Sequence, residues 1–248
     1  STTSGGLWLD GDMDNDATND STNTVGFTDG RTVTAKTLLT LEATTGSISP
    51  AGLLTLKAGT GIVILDDMTS VASGKAVVID ADYETQGDGT LTVYTGKTIT
   101  TNDSSLTVTA FDLDLAGSIT TGTESIFISG AKDAQTIGLG AASKDMHIET
   151  LELQRMTANA GLLLGGSAAT AGSLDVNGVT AVGSNTVSPT VTLVAQADLH
   201  SVTFLGAPST FNALAAQADN GVLVTQDVTT DTGVMYLDGD MENNLGSD

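Results

Sequence analysis

The sequence predicts an all-β chain built as an elongated parallel β-solenoid. Three observations predict it: a long-range repeat, a series of short alternating runs, and a core that must form almost without aromatic residues. The repeat is the most specific. Residues 2–16 read TTSGGLWLDGDMDND and residues 230–244 read TDTGVMYLDGDMENN, so that the end of the chain returns to its beginning. Thr2, Gly5, Leu9, Asp10, Gly11, Asp12, Met13 and Asn15 recur as Thr230, Gly233, Leu237, Asp238, Gly239, Asp240, Met241 and Asn243, and Asp20 recurs as Asp248. A stack in which each unit touches only its neighbours can be continued by another copy of itself, and a chain that finishes on its own first strand fits that plan. On this reading the whole chain, 1–248, is one solenoid segment with a repeat unit of about 228 residues, positions 1–20 being equivalent to 229–248.

The alternating runs come in order. LLTLEA begins at Leu38, LLTLKA at Leu53, AVVIDA at Ala76, SLTVTA at Ser105, SIFISG at Ser125 and DMHIET at Asp145. SLDVNG at Ser173, TVTLVA at Thr190, ALAAQA at Ala213 and VMYLDG at Val234 follow. Apolar and polar residues alternate in most of them and turn residues come next, which is a strand followed by a turn. Residues 38–46 and 53–61 share seven of nine positions, and the AQAD of 195–198 returns at 216–219. The mean spacing from Leu38 to Val234 is about 22 residues, the size of one solenoid coil. Roughly ten coils per unit at about 4.8 Å each would give a rod on the order of 50 Å long. A tandem β-sandwich is the competing fold, with strands every 8–12 residues and larger aromatic core residues. Residues 148–160, which contain LELQRM, form a short helix or a strand.

Composition limits what the chain can do. Aromatic residues are 4%, Trp8 is the only tryptophan, and cysteine is absent, so the core is aliphatic and there is neither a disulfide nor a thiolate metal site. Thirty acidic against eight basic residues give a net charge of −22, which excludes phosphate-backbone binding and disfavours an anionic membrane. No run approaches the roughly 18–20 apolar residues of a spanning helix. The start at Ser1, without Met or leader, reads as a processed mature chain or a segment of something longer. Catalysis has little support: the basic residues are scattered, His147 and His200 read as solvent-facing strand positions, and no nucleophile elbow or phosphate loop stands out. Asn19 and Asn102 begin N-x-Ser glycosylation sequences.

The densest chemical cluster is DGDMDNDATND, which holds Asp10, Asp12, Asp14 and Asp16 beside two asparagines, with Asp238, Asp240 and Glu242 as its repeat. Hard oxygen ligands suit calcium, although Asn15 and Ser21 stand where an EF-hand has Gly and Glu. A curled loop could gather the carboxylates, while an extended one would hold alternate carboxylates about 6.6 Å apart. The other reading is an acidic turn that solvates the rod. Asp80, Asp82, Asp112 and Asp114 are expected to face outwards and repel their neighbours, so divalent ions would relieve them; self-repulsion against lateral aggregation explains the same charge without an ion. Leu7, Trp8 and Leu9 match Met235, Tyr236 and Leu237, which makes these six residues the candidate unit junction, with Trp8 and Tyr236 as equivalent aromatics.

The runs LTLEATTGSI, LTLKAGTGIVI and FNALAAQADNGVLVTQDVTTDTG, together with the recurring LDGDM, resemble filamentous-haemagglutinin-type adhesins and giant repetitive bacterial surface proteins with related β-helical repeats. The resemblance spans nearly the whole chain and implies an exported, right-handed β-helix at the cell surface or outside the cell. It further implies a structural stalk or fibre extended by further copies of the same unit, with a cell-surface or glycan ligand in the adhesin alternative. The family's N-terminal secretion domain and a receptor-binding module are missing from these residues. No cofactor is required, calcium being the one candidate.

Overall fold

The computed structural model describes residues 1–16, 18, 22–166 and 170–242. The chain is all-β apart from two short helices, and every strand pairing described is parallel. Parallel ladders throughout are incompatible with the hairpin-linked sheets of a β-sandwich.

The chain visits the sheets in rotation. β1 (Leu7–Asp10), β2 (Thr24–Phe27) and β3 (Arg31–Ala35) make the first circuit, and β4 (Leu38–Glu42), β5 (Ser47–Pro50) and β6 (Leu54–Ala58) the second. The third is β7 (Gly61–Ile64), β8 (Met68–Thr69) and β9 (Val77–Asp80), and the fourth β10 (Thr90–Val93), β11 (Thr98–Thr100) and β12 (Leu106–Ala110). The fifth is β13 (Asp112–Leu115), β14 (Ser118–Thr120) and β15 (Ile126–Gly130). The sixth is longer: β16 (Gln135–Gly140), β17 (Met146–Ile148), helix α1 (Thr150–Gln154), β18 (Met156–Thr157) and β19 (Leu162–Gly165). In the seventh, β20 (Ala171–Asn177) leads through α2 (Ala181–Ser184) to β21 (Val191–Ala195). The eighth is β22 (Val202–Phe204), β23 (Ser209–Phe211) and β24 (Leu214–Ala218); the ninth is β25 (Val222–Val224), β26 (Val228–Thr230) and β27 (Met235–Asp238).

The first sheet orders β1-β4-β7-β10-β13, the second runs from β2 to β18, and the third takes one strand from every circuit, from β3 to β27. From the sixth circuit a fourth sheet, β17-β16-β20-β22-β25, takes the first place in the rotation, and β23 pairs β26 in a fifth.

Register aligns like with like. In the third sheet one inward row runs from Val33 through Leu56, Ile79, Val108, Ile128, Leu164 and Leu193 to Ala216 and Leu237. Those from Leu56 to Ala216 are essentially inaccessible to water. Fully burying a Leu or Ile side chain stabilises by about 1.5–3 kcal/mol relative to exposure, so this row and its parallels provide the main favourable term. Beside it the polar positions face out, and Lys57 stands opposite Asp80 with 3.5 Å between charged atoms.

Successive circuits touch closely at their corners. A Cβ on Gly46 would lie 1.3 Å from the Asn23 carbonyl oxygen, so only glycine lets these two backbones approach. In the sixth circuit β16 and β17 are parallel neighbours linked by only residues 141–145. The link folds so tightly that a Cβ on Gly138 would be 1.6 Å from the Ala142 carbonyl oxygen, and the Asp145 carboxylate fastens it by accepting the Thr136 N–H and hydroxyl.

The circuits are uneven and longer than the mean spacing of the runs suggests. Thr32 pairs Thr55 and Thr55 pairs Val78, steps only slightly above that spacing, but Phe127 pairs Leu163 across a far longer step that contains β16, β17 and α1. The alternating runs also belong to different sheets, since the Leu38 run is β4 in the first and the Leu53 run is β6 in the third. The AQAD repeat sets Ala195 in line with Ala216 by sequence, yet the ladder pairs Ala195 with Ala218. A two-residue slip keeps every side chain on its own face. Among the described residues no helix is long and apolar enough to cross a membrane.

Candidate functional site: the end strands and the acidic corners

The repeated segment occupies the two outermost strands. β1 is the edge of the first sheet and pairs only with β4, Leu7 opposite Leu39 and Leu9 opposite Leu41. β27 is the edge of the third sheet and pairs only with β24, Met235 opposite Leu214 and Leu237 opposite Ala216. Their inward residues are incompletely covered because no circuit lies beyond them among the described residues: Leu237 keeps 42% of its surface exposed, whereas Leu214 one circuit inward has none. Trp8 and Tyr236 face outwards and are exposed. Both strands therefore present open parallel edges, a template for further pairing.

The acidic residues beside these strands hold the backbone. Asp10 is exposed on β1, and its Oδ1 accepts the Asp12 N–H at 2.9 Å. Asp12 is buried, and its Oδ2 accepts both the N–H (3.1 Å) and the hydroxyl of Thr45 in the next circuit. Asp14 accepts the Asp16 N–H at 3.3 Å, and Asp16 accepts the Thr18 N–H and hydroxyl at 2.9 and 2.7 Å. Asp238 accepts the Asp240 N–H at 3.2 Å and the Tyr236 hydroxyl at 2.9 Å; Glu242 is exposed. These carboxylates are strung along successive turns rather than gathered. Among the described residues no group of three or more His, Cys, Asp or Glu is placed to hold a metal ion. Asp20, Asn19 and Asp248 lie outside the described residues.

The same device recurs round the stack. Asp29 accepts the Leu53 N–H, Asp66 that of Ala43, Asp67 that of Thr98, Asp103 that of Thr123 and Asp219 that of Leu199. Each bond joins segments well separated in sequence, at a corner where the strand ladder is interrupted. A carboxylate accepting a backbone N–H is a charge-assisted bond, stronger than its neutral counterpart. Asp82 departs from its expected outward position: it is fully buried and caps its own turn by accepting the N–H groups of Gln86, Gly87 and Asp88. Its residue type fits a solvent-facing strand as well as a turn cap, so alternation alone could not separate them.

A second set of polar side chains, which sequence patterning missed, closes the first sheet where it stops. β13 has no strand on its far side within that sheet, and α1 lies there instead. Glu152 Oε1 accepts the Leu115 N–H at 2.9 Å, and Arg155 donates from Nη1 to the Leu115 carbonyl at 2.7 Å. The two side chains thus satisfy the groups a neighbouring strand would have satisfied. Glu152 Oε2 accepts the Glu149 N–H in a capping box, and the Asp112 side chain accepts the His147 N–H at 2.9 Å. The surrounding cleft, about 340 Å3, is lined by Asp112, Asp114, His147, Glu149, Glu152 and Arg155. Burial pushes the Glu152 carboxyl above the ordinary range, against the Leu115 and Glu149 N–H bonds that lower it. The signal available in sequence was the Thr-Leu-Glu-Leu-Gln run after Glu149, whose Glu152 stands at the third helical position of a capping box.

Two outcomes follow. Asp12→Ala leaves the Thr45 N–H without its acceptor and destabilises by about 1–3 kcal/mol, whereas Asp14→Ala stays within about 0.5 kcal/mol of wild type; equal effects in urea unfolding would contradict these roles. For Glu152, the raised folded-state value means that the folded chain holds the proton more tightly than the unfolded chain. Its contribution favours folding at low pH and is lost as pH rises from the ordinary glutamate range through the raised value. Glu152→Gln cannot titrate, so its destabilisation is greater at pH 4 than at pH 7, and a penalty independent of pH would contradict the assignment.

Comparison of the chain with protein-family models, with curated proteins and with solved structures yields no match.

Proposed function

We propose that this chain is a length of right-handed parallel β-solenoid acting as the shaft of an extracellular or cell-surface fibre, extended end to end by further copies of the same unit and without catalysis. The observation that carries the reading is the repeated segment: its two copies form the outermost strand at each end of the stack, and among the described residues both strands have an open edge. The continuous inward rows and the rotation of strands among the sheets support the solenoid. The excess of acidic groups suits a fibre that must avoid lateral aggregation, since like-charged shafts repel. The adhesin alternative has less support, because the exposed aromatics Trp8, Tyr94, Phe127 and Tyr236 belong to four separate strands or turns.

The test is the mass of the native chain under fully denaturing conditions, followed by electron microscopy. A mass of many units identifies a covalent array, and a mass near 25.0 kDa with filaments identifies a self-assembling subunit. A mass near 25.0 kDa with only monomers at high protein concentration would contradict the fibre.

A further inference from the structure

We infer that the free edge of β27 is built to receive residues 34–45 of a following copy, and that each copy begins two faces further round the stack than the copy before it. This rests on the end-to-end reading above. The register is that of β1 on β4: Met235 opposite Leu39, Tyr236 opposite Thr40, Leu237 opposite Leu41 and Asp238 opposite Glu42.

The first support is that the two repeated segments fold alike. The Thr2 hydroxyl donates to the Gly5 carbonyl at 3.1 Å, and the Thr230 hydroxyl donates to the Gly233 carbonyl at 2.9 Å. The Asp12 N–H donates to Asp10 Oδ1, and the Asp240 N–H to Asp238 Oδ1. Between these turns lie four-residue strands at matching positions, β1 and β27.

The second support is that the segments engage opposite neighbours through different atoms. In the first copy of the motif the Gly5 carbonyl accepts the Thr37 N–H at 3.2 Å, the Gly11 N–H donates to the Glu42 carbonyl at 2.9 Å, and Asp12 accepts the Thr45 N–H. These bonds all lead to the following circuit. In the second copy the Gly233 N–H donates to the Asn212 carbonyl at 2.8 Å, the Gly239 carbonyl accepts the Gly221 N–H at 2.9 Å, and the Val234 carbonyl accepts the Leu214 N–H at 3.1 Å. Those bonds all lead backwards. Gly5 corresponds to Gly233 and Gly11 to Gly239, and in each pair one copy engages its N–H and the other its carbonyl. One segment of this sequence can therefore hold both neighbours at once with no donor or acceptor claimed twice. The Asp240 carboxylate, left for the forward side, would take Thr45 of the next copy.

The rotation follows from topology. β1 opens the first circuit in the first sheet, whereas β27 closes the ninth in the third, so one repeat of the motif spans eight circuits and two further faces. Once β27 takes the place of β1, the third sheet of one copy continues as the first sheet of the next. A surface feature such as the Glu152–Arg155 closure then recurs on a new face in each unit and returns to the same face in every third.

Cross-linking between full-length copies tests both parts, in a chain that has no native cysteine. A donor carrying Tyr236→Cys is mixed with an acceptor carrying Thr40→Cys and the substitutions Leu7→Asp and Leu9→Asp, which release its own β1 from β4; Leu9→Asp alone serves if circular dichroism shows that the pair unfolds the acceptor. A short bismaleimide is expected to join the two chains at least about fivefold more efficiently at Thr40→Cys than at Thr32→Cys, the position that an unrotated stack, third sheet upon third sheet, would place opposite Tyr236. Preferential joining through Thr32→Cys would overturn the register and the rotation while leaving end-to-end assembly intact. No joining at either position would overturn this inference, while the mass and microscopy above decide the fibre reading separately.

Discussion

The interior strands of the stack depend on the circuit above and the circuit below, because a parallel strand has no hairpin partner to complete its hydrogen bonds locally. That dependence fixes the register, and the register fixes the core. When Leu56 lies on Val33 and Ile79 lies on Leu56, each circuit covers the apolar face of the last, and no side chain in the row is buried until its neighbours are in place. The arrangement is cooperative between neighbours and indifferent to total length. It also leaves an edge unanswered wherever the stacking stops or changes sheet.

The chain meets that problem in two ways. At the end of the first sheet, Glu152 and Arg155 take the N–H and carbonyl of Leu115 and stand in for a strand. At the corners, aspartate carboxylates reach across to backbone N–H groups of another circuit, as Asp12 does to Thr45 and Asp103 to Thr123. Much of the negative charge is thereby part of the scaffold. On the outer edges of β1 and β27 neither device is present among the described residues, and those edges are open.

Inward and outward positions were legible in the sequence for the longer strands, because LTLKA and LTVTA alternate strictly and have one buried face. The end repeat was equally plain, and its local structure is the same in both copies. The sheet to which each run belongs was not legible. The Leu38 and Leu53 runs are near-identical yet lie in different sheets, since similar packing on two faces selects similar residues. Strands such as Met68–Thr69 are too short for alternation to register, so the second sheet left no trace and circuit length was underestimated. The role of the aspartates was hidden for another reason: a turn cap, a solvated surface and an ion ligand all call for the same residue, and only the placement of Thr45 opposite Asp12 separates them.

Amide hydrogen exchange, read strand by strand on the isolated chain, tests the central dependence most directly. If each strand is held by the circuits on both sides, the amides of β9 and β12 exchange at least about a hundredfold more slowly than those of β27, which has a neighbour on one side only. Equal protection of β27 and the interior strands, or uniformly fast exchange along the nine-stranded sheet, would contradict the stacked, mutually dependent circuits described above.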